Sequence, residues 1–210
     1  MPSTARLLVA VLVVAFLGVG CAARQATAPT RASPSGTVEM FKMKARYGDR
    51  EGEWDILSPD FKQRLSQQAG RTIDVADYAQ AREMYRGNAQ VKLAEKMLQT
   101  AIATSVRQVG PDRARVVIQT SGGPLAKSGE IGMVRLQTWR LQVAGAPQPY
   151  QGFVGDPMLA ATKQPDGSFV VTSNGNTLAT VPANQVQEYR VDSNWYVDDL
   201  GGMEQQFLVQ

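Results

Sequence analysis

ARYGDREGEWDILSPDFK, residues Ala45–Lys62, sets the architecture of the front half of this chain. Gly48 punctuates the end of a helix whose apolar face carries Val38, Phe41 and Ala45 at helical spacing. Asp49 opens a second helical stretch containing Trp54 and Leu57. Ser58-Pro59-Asp60 then restarts the helix. Ser58 can cap, Pro59 loses nothing by lacking an N–H in the first turn, and Asp60 complements the dipole. Phe61 and Leu65 give that third helix its apolar edge. Asp74 caps a further helix with the stripe Val75, Tyr78, Met84 and Tyr85, and Gly87-Asn88 stops it.

Behind Gln90 the pattern changes. Leu98, Ile102 and Val106 stand in a Thr-rich run that predicts a strand, with helix competing as far as Ile102. Gly110-Pro111-Asp112 is a turn, after which Ala114, Val116 and Ile118 alternate with Arg113, Arg115 and Val117. Ser121-Gly122-Gly123-Pro124 breaks that strand, and a long one follows from Ile131 to Val143. Residues Gly145 to Pro157 read as loop. Asp166-Gly167 between MLAATKQ and SFVVTS signals a hairpin. Two last strands, Gln185 to Val191 and Trp195 to Leu200, are expected on either side of Asp192-Ser193-Asn194. Helices first and an antiparallel meander afterwards predict an α+β roll.

Upstream of the domain, Arg6 precedes the apolar run LLVAVLVVAFLGVG, which ends at Cys21-Ala22-Ala23. This is the layout of a secretory signal peptide. A helix over the run would span ~21 Å at ~1.5 Å per residue, short of the ~30 Å hydrocarbon core of a bilayer. Residues 1–20 are therefore expected to be removed. Cys21 is the only cysteine, so an intramolecular disulfide is excluded. From Ala22 to Gly36 the chain lacks large apolar side chains and reads as a flexible tether. Residues 37–210 are expected to form a single domain.

Composition narrows the chemistry. The formal net charge is +3, and losing Arg6 with the leader brings the domain closer to balance. Basic and acidic residues alternate, and no basic stripe is interleaved with aromatics, so nucleic acid is not an expected partner. The sequence contains no histidine. That removes the general base of Ser-His and Cys-His machinery and the imidazole metal ligands. No calcium-loop or phosphate-loop spacing is present, and neither a metal nor a cofactor is expected. What remains is a carboxylate base in an apolar pocket with a tyrosine donor. Asp55, Asp74, Asp77, Asp198 and Asp199 supply the carboxylates, and Tyr47, Tyr78, Tyr85 and Tyr196 the phenols. Capping and dipole roles account for most of these acids, and Trp54, Trp139 and Trp195 read as core. No catalytic residue is assigned. Tyr78, Trp139, Tyr196 and Asp198 stand as ligand-pocket candidates, with Tyr196, Asp198 and Leu200 on one side of the last strand and Trp195, Val197 and Asp199 on the other.

Two resemblances add expectations. Gly20-Cys21-Ala22 after the apolar run resembles the bacterial lipoprotein signal. The resemblance implies that the thiol of Cys21 is acylated, that Cys21 becomes the new N-terminus, and that the protein sits lipid-anchored in the cell envelope. In a Gram-negative cell, Ala22 implies delivery to the outer membrane, facing the periplasm. Ala45–Lys62, Asp112-Arg113-Ala114-Arg115-Val116 and Trp195-Tyr196-Val197-Asp198-Asp199-Leu200 resemble the nuclear transport factor two-like superfamily, with a hairpin region near residues 147–181 inserted. That family implies a cone-shaped roll, N-terminal helices packed on a curved antiparallel sheet, often with a pocket at the wide end. Its members include ketosteroid isomerase-like and polyketide cyclase enzymes as well as non-catalytic envelope lipoproteins, so the fold leaves the function open. The expected function is a membrane-tethered, non-enzymatic module binding a small apolar ligand or an envelope protein. The alternatives are an isomerase or cyclase using a carboxylate base, and a structural subunit of an envelope complex that uses the 147–181 region as contact surface.

Overall fold

A computed structural model describes residues 28–120 and 127–201 of the 210-residue chain. The leader, Cys21, most of the expected tether and the Ser121–Pro124 break lie outside the described residues. The fold is α+β: N-terminal helices pack against antiparallel sheet, and the main sheet is open rather than closed.

Local chemistry explains the helices. Helix α1 (Pro34–Tyr47) is capped by Ser33, whose side chain accepts from the Gly36 N–H at 3.1 Å. Residues 33–36, expected in the tether, thus form a cap and a first turn. The helix ends at Gly48 with φ 69°, a left-handed conformation that glycine adopts without a Cβ clash. Helix α2 (Arg50–Ile56) is capped by Asp49, and α3 (Pro59–Ala69) by Ser58, as the sequence predicts. Helix α4 (Val75–Met84) begins with a reciprocal pair. Asp74 accepts from the Asp77 N–H at 2.9 Å and Asp77 from the Asp74 N–H at 3.2 Å.

Two front-half expectations need correction. Met84 is exposed, because α4 turns Tyr78 and Arg82 inward and Met84 lies two residues on, roughly 200° around the helix. Residues Ala89–Thr100 form a helix, α5, where a strand was expected. Leu98, Ile102 and Val106 are spaced by four and straddle two elements. Leu98 and Ala101 are buried at the end of α5, whereas Ile102 and Val106 are exposed on the strand that follows. Good helix formers such as Lys92, Glu95, Lys96 and Met97 decide the earlier part. Lys42 of α1 fastens the junction by donating to the Ala101 carbonyl.

Strands β1 (Ile102–Gly110), β2 (Arg113–Gln119) and β3 (Ser128–Val143) form an antiparallel meander. Ala114, Val116 and Ile118 face the helices, as their alternation predicts. Strand β3, 16 residues long, then pairs with β4 (Tyr150–Phe153) on the same edge that β2 occupies further back. The loop expected over 145–157 therefore contains a strand. Strands β5 (Leu159–Lys163), β6 (Phe169–Ser173) and β7 (Asn176–Val181) make a separate three-stranded sheet within the expected hairpin region. The last strand, β8 (Val186–Asp199), is continuous. Asp192, Ser193 and Asn194, expected to break it, pair with Thr138, Gln137 and Leu136 of β3.

Two clusters hold the chain. Phe41, Ile56, Leu57, Phe61, Ile131, Met133, Trp195 and Val197 pack between the helices and the main sheet. Trp139, Leu141, Val143, Phe169, Val171 and Val181 pack where β3 meets the small sheet. Leu57 bridges Val197 in parallel, and the Ser58 N–H donates to the Val197 carbonyl at 2.8 Å, so the α2–α3 junction lies against the outer edge of β8.

Trp195→Ala is expected to remove about 3–5 kcal/mol of stability as a core deletion. Ser58→Ala is expected to cost about 1 kcal/mol for the lost cap, with a further loss for the hydroxyl it donates to Asp198 at 2.6 Å. Urea denaturation of each variant checks both, and Trp195→Ala should shift the midpoint further.

Candidate functional site

The four candidate residues separate into three places. Tyr78 lies in a buried ionic cluster between α2, α4 and α5. Its hydroxyl donates to Glu53 Oε2 at 2.7 Å, and Arg82 Nε donates to the same oxygen at 3.1 Å. Arg50 donates to the other Glu53 oxygen, and Arg82 reaches Glu95 Oε1 at 2.9 Å. Glu53 is fully buried and Arg82 nearly so. Burial, with Glu53 beside it, pushes the Tyr78 phenol well above its ordinary value and keeps it a donor. The cluster pairs two guanidiniums with Glu53 and Glu95 inside, and with Glu83 at its exposed edge, and breaking it would strand buried charges.

Asp198 sits in a clasp. It accepts from Ser58 Oγ at 2.6 Å and from Arg113 at 3.3 Å, and its backbone carbonyl accepts from Arg64. The register explains the orientation. Val197 pairs with Met133 and Asp199 with Gly132, leaving Asp198 as the extra residue of a β-bulge. Beyond the bulge, Leu200 joins Trp195 and Val197 in the helix-side core. The simple alternation that grouped Leu200 with Tyr196 and Asp198 is thereby corrected. Gly132 makes the close approach feasible, since a Cβ there would lie 2.8 Å from Asp199 Cβ.

Trp139 and Tyr196 both border a basin of about 530 Å³ but leave opposite faces of the sheet, Tyr196 on the basin side and Trp139 into the core against the small sheet. Its floor is the polar face of β3 and β8. Thr138 and Arg140 line it from β3, and Arg190, Asp192 and Asn194 from β8. Arg31, Asp55 of α2 and Lys62 of α3 form the rim beside the outer edge of β8, where the Trp195 N–H donates to the Arg31 carbonyl at 2.9 Å. Tyr196 packs edge-on against Phe153, with ring centroids 5.3 Å apart, and the Arg31 guanidinium lies 5.0 Å over its ring. Gly152 lets the Trp139 ring approach the backbone of β4, because a Cβ there would come within 3.0 Å of it. Burial pushes the Tyr196 phenol up, opposed by Arg31 and a hydrogen bond with Thr138. Burial pulls the Lys62 ammonium down, against the pull of Asp55, and its Nζ sits 4.9 Å from the Trp54 ring centre.

Sequence reasoning singled out Tyr196 at this basin and missed its charges. Arg140 and Arg190 become neighbours only through the β3–β8 register, which no local motif announces. Among the described residues, no group of three or more acidic, cysteine or histidine side chains is placed to hold a metal ion. No helix among them is long and apolar enough to cross a membrane.

Comparison with family models, curated proteins and solved structures finds no match for this chain.

The buried cluster yields a sharp expectation. Glu53→Gln should cost about 3–5 kcal/mol, because it leaves two buried guanidiniums without their shared carboxylate. Tyr78→Phe should cost only about 1–2 kcal/mol, since Glu53 keeps its arginine donors. Chemical denaturation measures both, and a Tyr78→Phe loss as large as that of Glu53→Gln would contradict this description of the cluster.

Proposed function

We propose that this protein is a lipid-anchored, non-enzymatic binding module of the bacterial cell envelope, built on a nuclear transport factor two-like plan. The observation that carries the reading is the filled space between helices and sheet. Ile56, Phe61, Met133, Trp195 and Val197 close it with side chains at most 7% exposed. The resemblance implies a pocket at the wide end of such a roll, and an isomerase-type enzyme would need a carboxylate base in an apolar pocket. Here the nearest buried acid, Asp198, is occupied by Ser58 and Arg113. An open concavity lies instead on the other face of β3 and β8, the basin lined by hydrogen-bonding side chains and by Phe153.

The anchor follows from the leader and the lone thiol. Acylated at Cys21, the domain would stand off the membrane on the short segment that precedes Ser33, facing the periplasm from the outer membrane in a Gram-negative cell. Two acyl chains suffice for stable anchoring, as each buried methylene contributes about 0.8 kcal/mol.

In cells, wild-type protein is expected in the detergent phase after phase partitioning, with a mature mass corresponding to an acylated chain that begins at Cys21. Cys21→Ser should move to the aqueous phase uncut at that site. If the variant partitions and matures like wild type, the anchor reading fails. Isomerase and cyclase assays address the other half. Turnover by wild type that Asp198→Asn abolishes would replace the binding module with an enzyme.

A further inference from the structure

We infer that the basin takes an organic anion, a carboxylate or phosphate carried on a planar or apolar body. The inference rests on the proposed binding role of this same basin and specifies its ligand class.

The first observation is a like-charge pair that folding alone does not favour. Arg140 and Arg190 are direct partners in the β3–β8 register. Opposed like charges destabilise an antiparallel pair. Arg190 has counter-charges on its own strand, with Asp192 at 3.0 Å and Glu188 at 3.7 Å. Arg140 has no carboxylate within 4 Å among the described residues. The second observation is that Arg140 Nε is buried and has no acceptor. A buried donor without a partner is uncommon in a folded protein, and each case asks what completes it.

The surroundings agree in sign and shape. Arg31 and Lys62, also without a carboxylate within 4 Å among the described residues, face the same space. Four cations therefore meet two carboxylates, Asp55 and Asp192, and Asp192 is already engaged by Arg190. A guanidinium presents a planar fork that matches carboxylate or phosphate oxygens in pairs. Phe153, packed edge-on against Tyr196, supplies aromatic surface for the body of the ligand. The cavity, about 530 Å³, falls in the range of small-molecule sites. An incoming anion would supply the counter-charge that the half-buried Arg140 guanidinium lacks and relieve its repulsion from Arg190.

The test is calorimetric titration of the full chain in non-ionic detergent with phenyl phosphate, phenylacetate and neutral phenylacetamide. At least one anion should bind at least tenfold more tightly than the amide, and comparison of the two anions distinguishes phosphate from carboxylate. Arg140→Gln should weaken anion binding about tenfold or more, the worth of a hydrogen bond to a charged group. Arg107→Gln, on β1 outside the basin, should leave binding unchanged. Raised salt should weaken the wild-type interaction. The melting temperature of Arg140→Gln should hold or rise, because the substitution removes the opposed charges; a purely structural Arg140 would lower it. Binding of phenylacetamide as tight as that of the anions, wild-type affinity in Arg140→Gln, or no binding by any probe would each overturn the ligand class. Turnover of a bound anion would leave the ligand class standing and overturn the non-enzymatic reading instead.

Discussion

Strand β3 provides the hydrogen-bonding edges on which most of the sheet depends. One edge carries β2 along its first half and β4 along its second, while the other carries β8 from Gly132 to Val143. The side chains of a strand alternate, so Ile131, Met133, Trp139, Leu141 and Val143 leave the same side of β3. The first two enter the core under the helices, and the last three enter the core shared with the small sheet. One strand thus feeds two hydrophobic clusters, with Arg135 and Gln137 exposed between them. The opposite side of the same strand, through Thr138 and Arg140, becomes the floor of the basin. Core and candidate site are two faces of a single element, and a shift of one residue in its register would exchange them.

The helices are held to that sheet by polar contacts as well as apolar ones. Ser58 caps α3 with one lone pair and donates its proton to Asp198, so a local helix signal doubles as a link across the chain. Behind it, the Glu53 carboxylate gathers Tyr78 and Arg82 of α4 and Arg50 of its own helix. Charges this deep contribute little net stability relative to hydrophobic packing, but losing one leaves its partners stranded. Geometry between α2 and α4 is therefore fixed more tightly than the burial of Tyr78 alone would require.

What could be seen in the sequence was what local chemistry decides. The caps at Asp49, Ser58 and Asp74, the stop at Gly48 and the alternation of Ala114, Val116 and Ile118 depend on neighbours within a turn or a strand, and each is found as expected. The misjudged elements depend on distant partners. Asp192-Ser193-Asn194 has turn-forming residues, yet β3 offers an unbroken ladder that holds it extended. Helix α5 was obscured because Leu98, Ile102 and Val106 belong to two elements. The Asn174-Gly175 turn between β6 and β7 is a missed local signal, since both residues have the positive φ of a tight hairpin. At the basin, Trp139 and Tyr196 stood out as aromatics, whereas Arg140 and Arg190 looked like ordinary surface charges until the register placed them face to face.

The bulge at Asp198 draws these threads into a functional argument. Alternation along the strand sets Asp198 on the same face as Tyr196, a carboxylate and a phenol of the kinds that isomerase-type chemistry needs. Asp198 is engaged by Ser58 and Arg113, so its oxygens accept hydrogen bonds rather than a substrate proton. Tyr196 is left with Thr138, Phe153 and the Arg31 guanidinium. The acids that remain at the basin do not replace it, because Asp192 holds Arg190 and Asp55 is an exposed residue at the rim. Excess positive charge and the opposed Arg140–Arg190 pair are the features on which the proposed anion ligand rests, and both follow from the β3–β8 register.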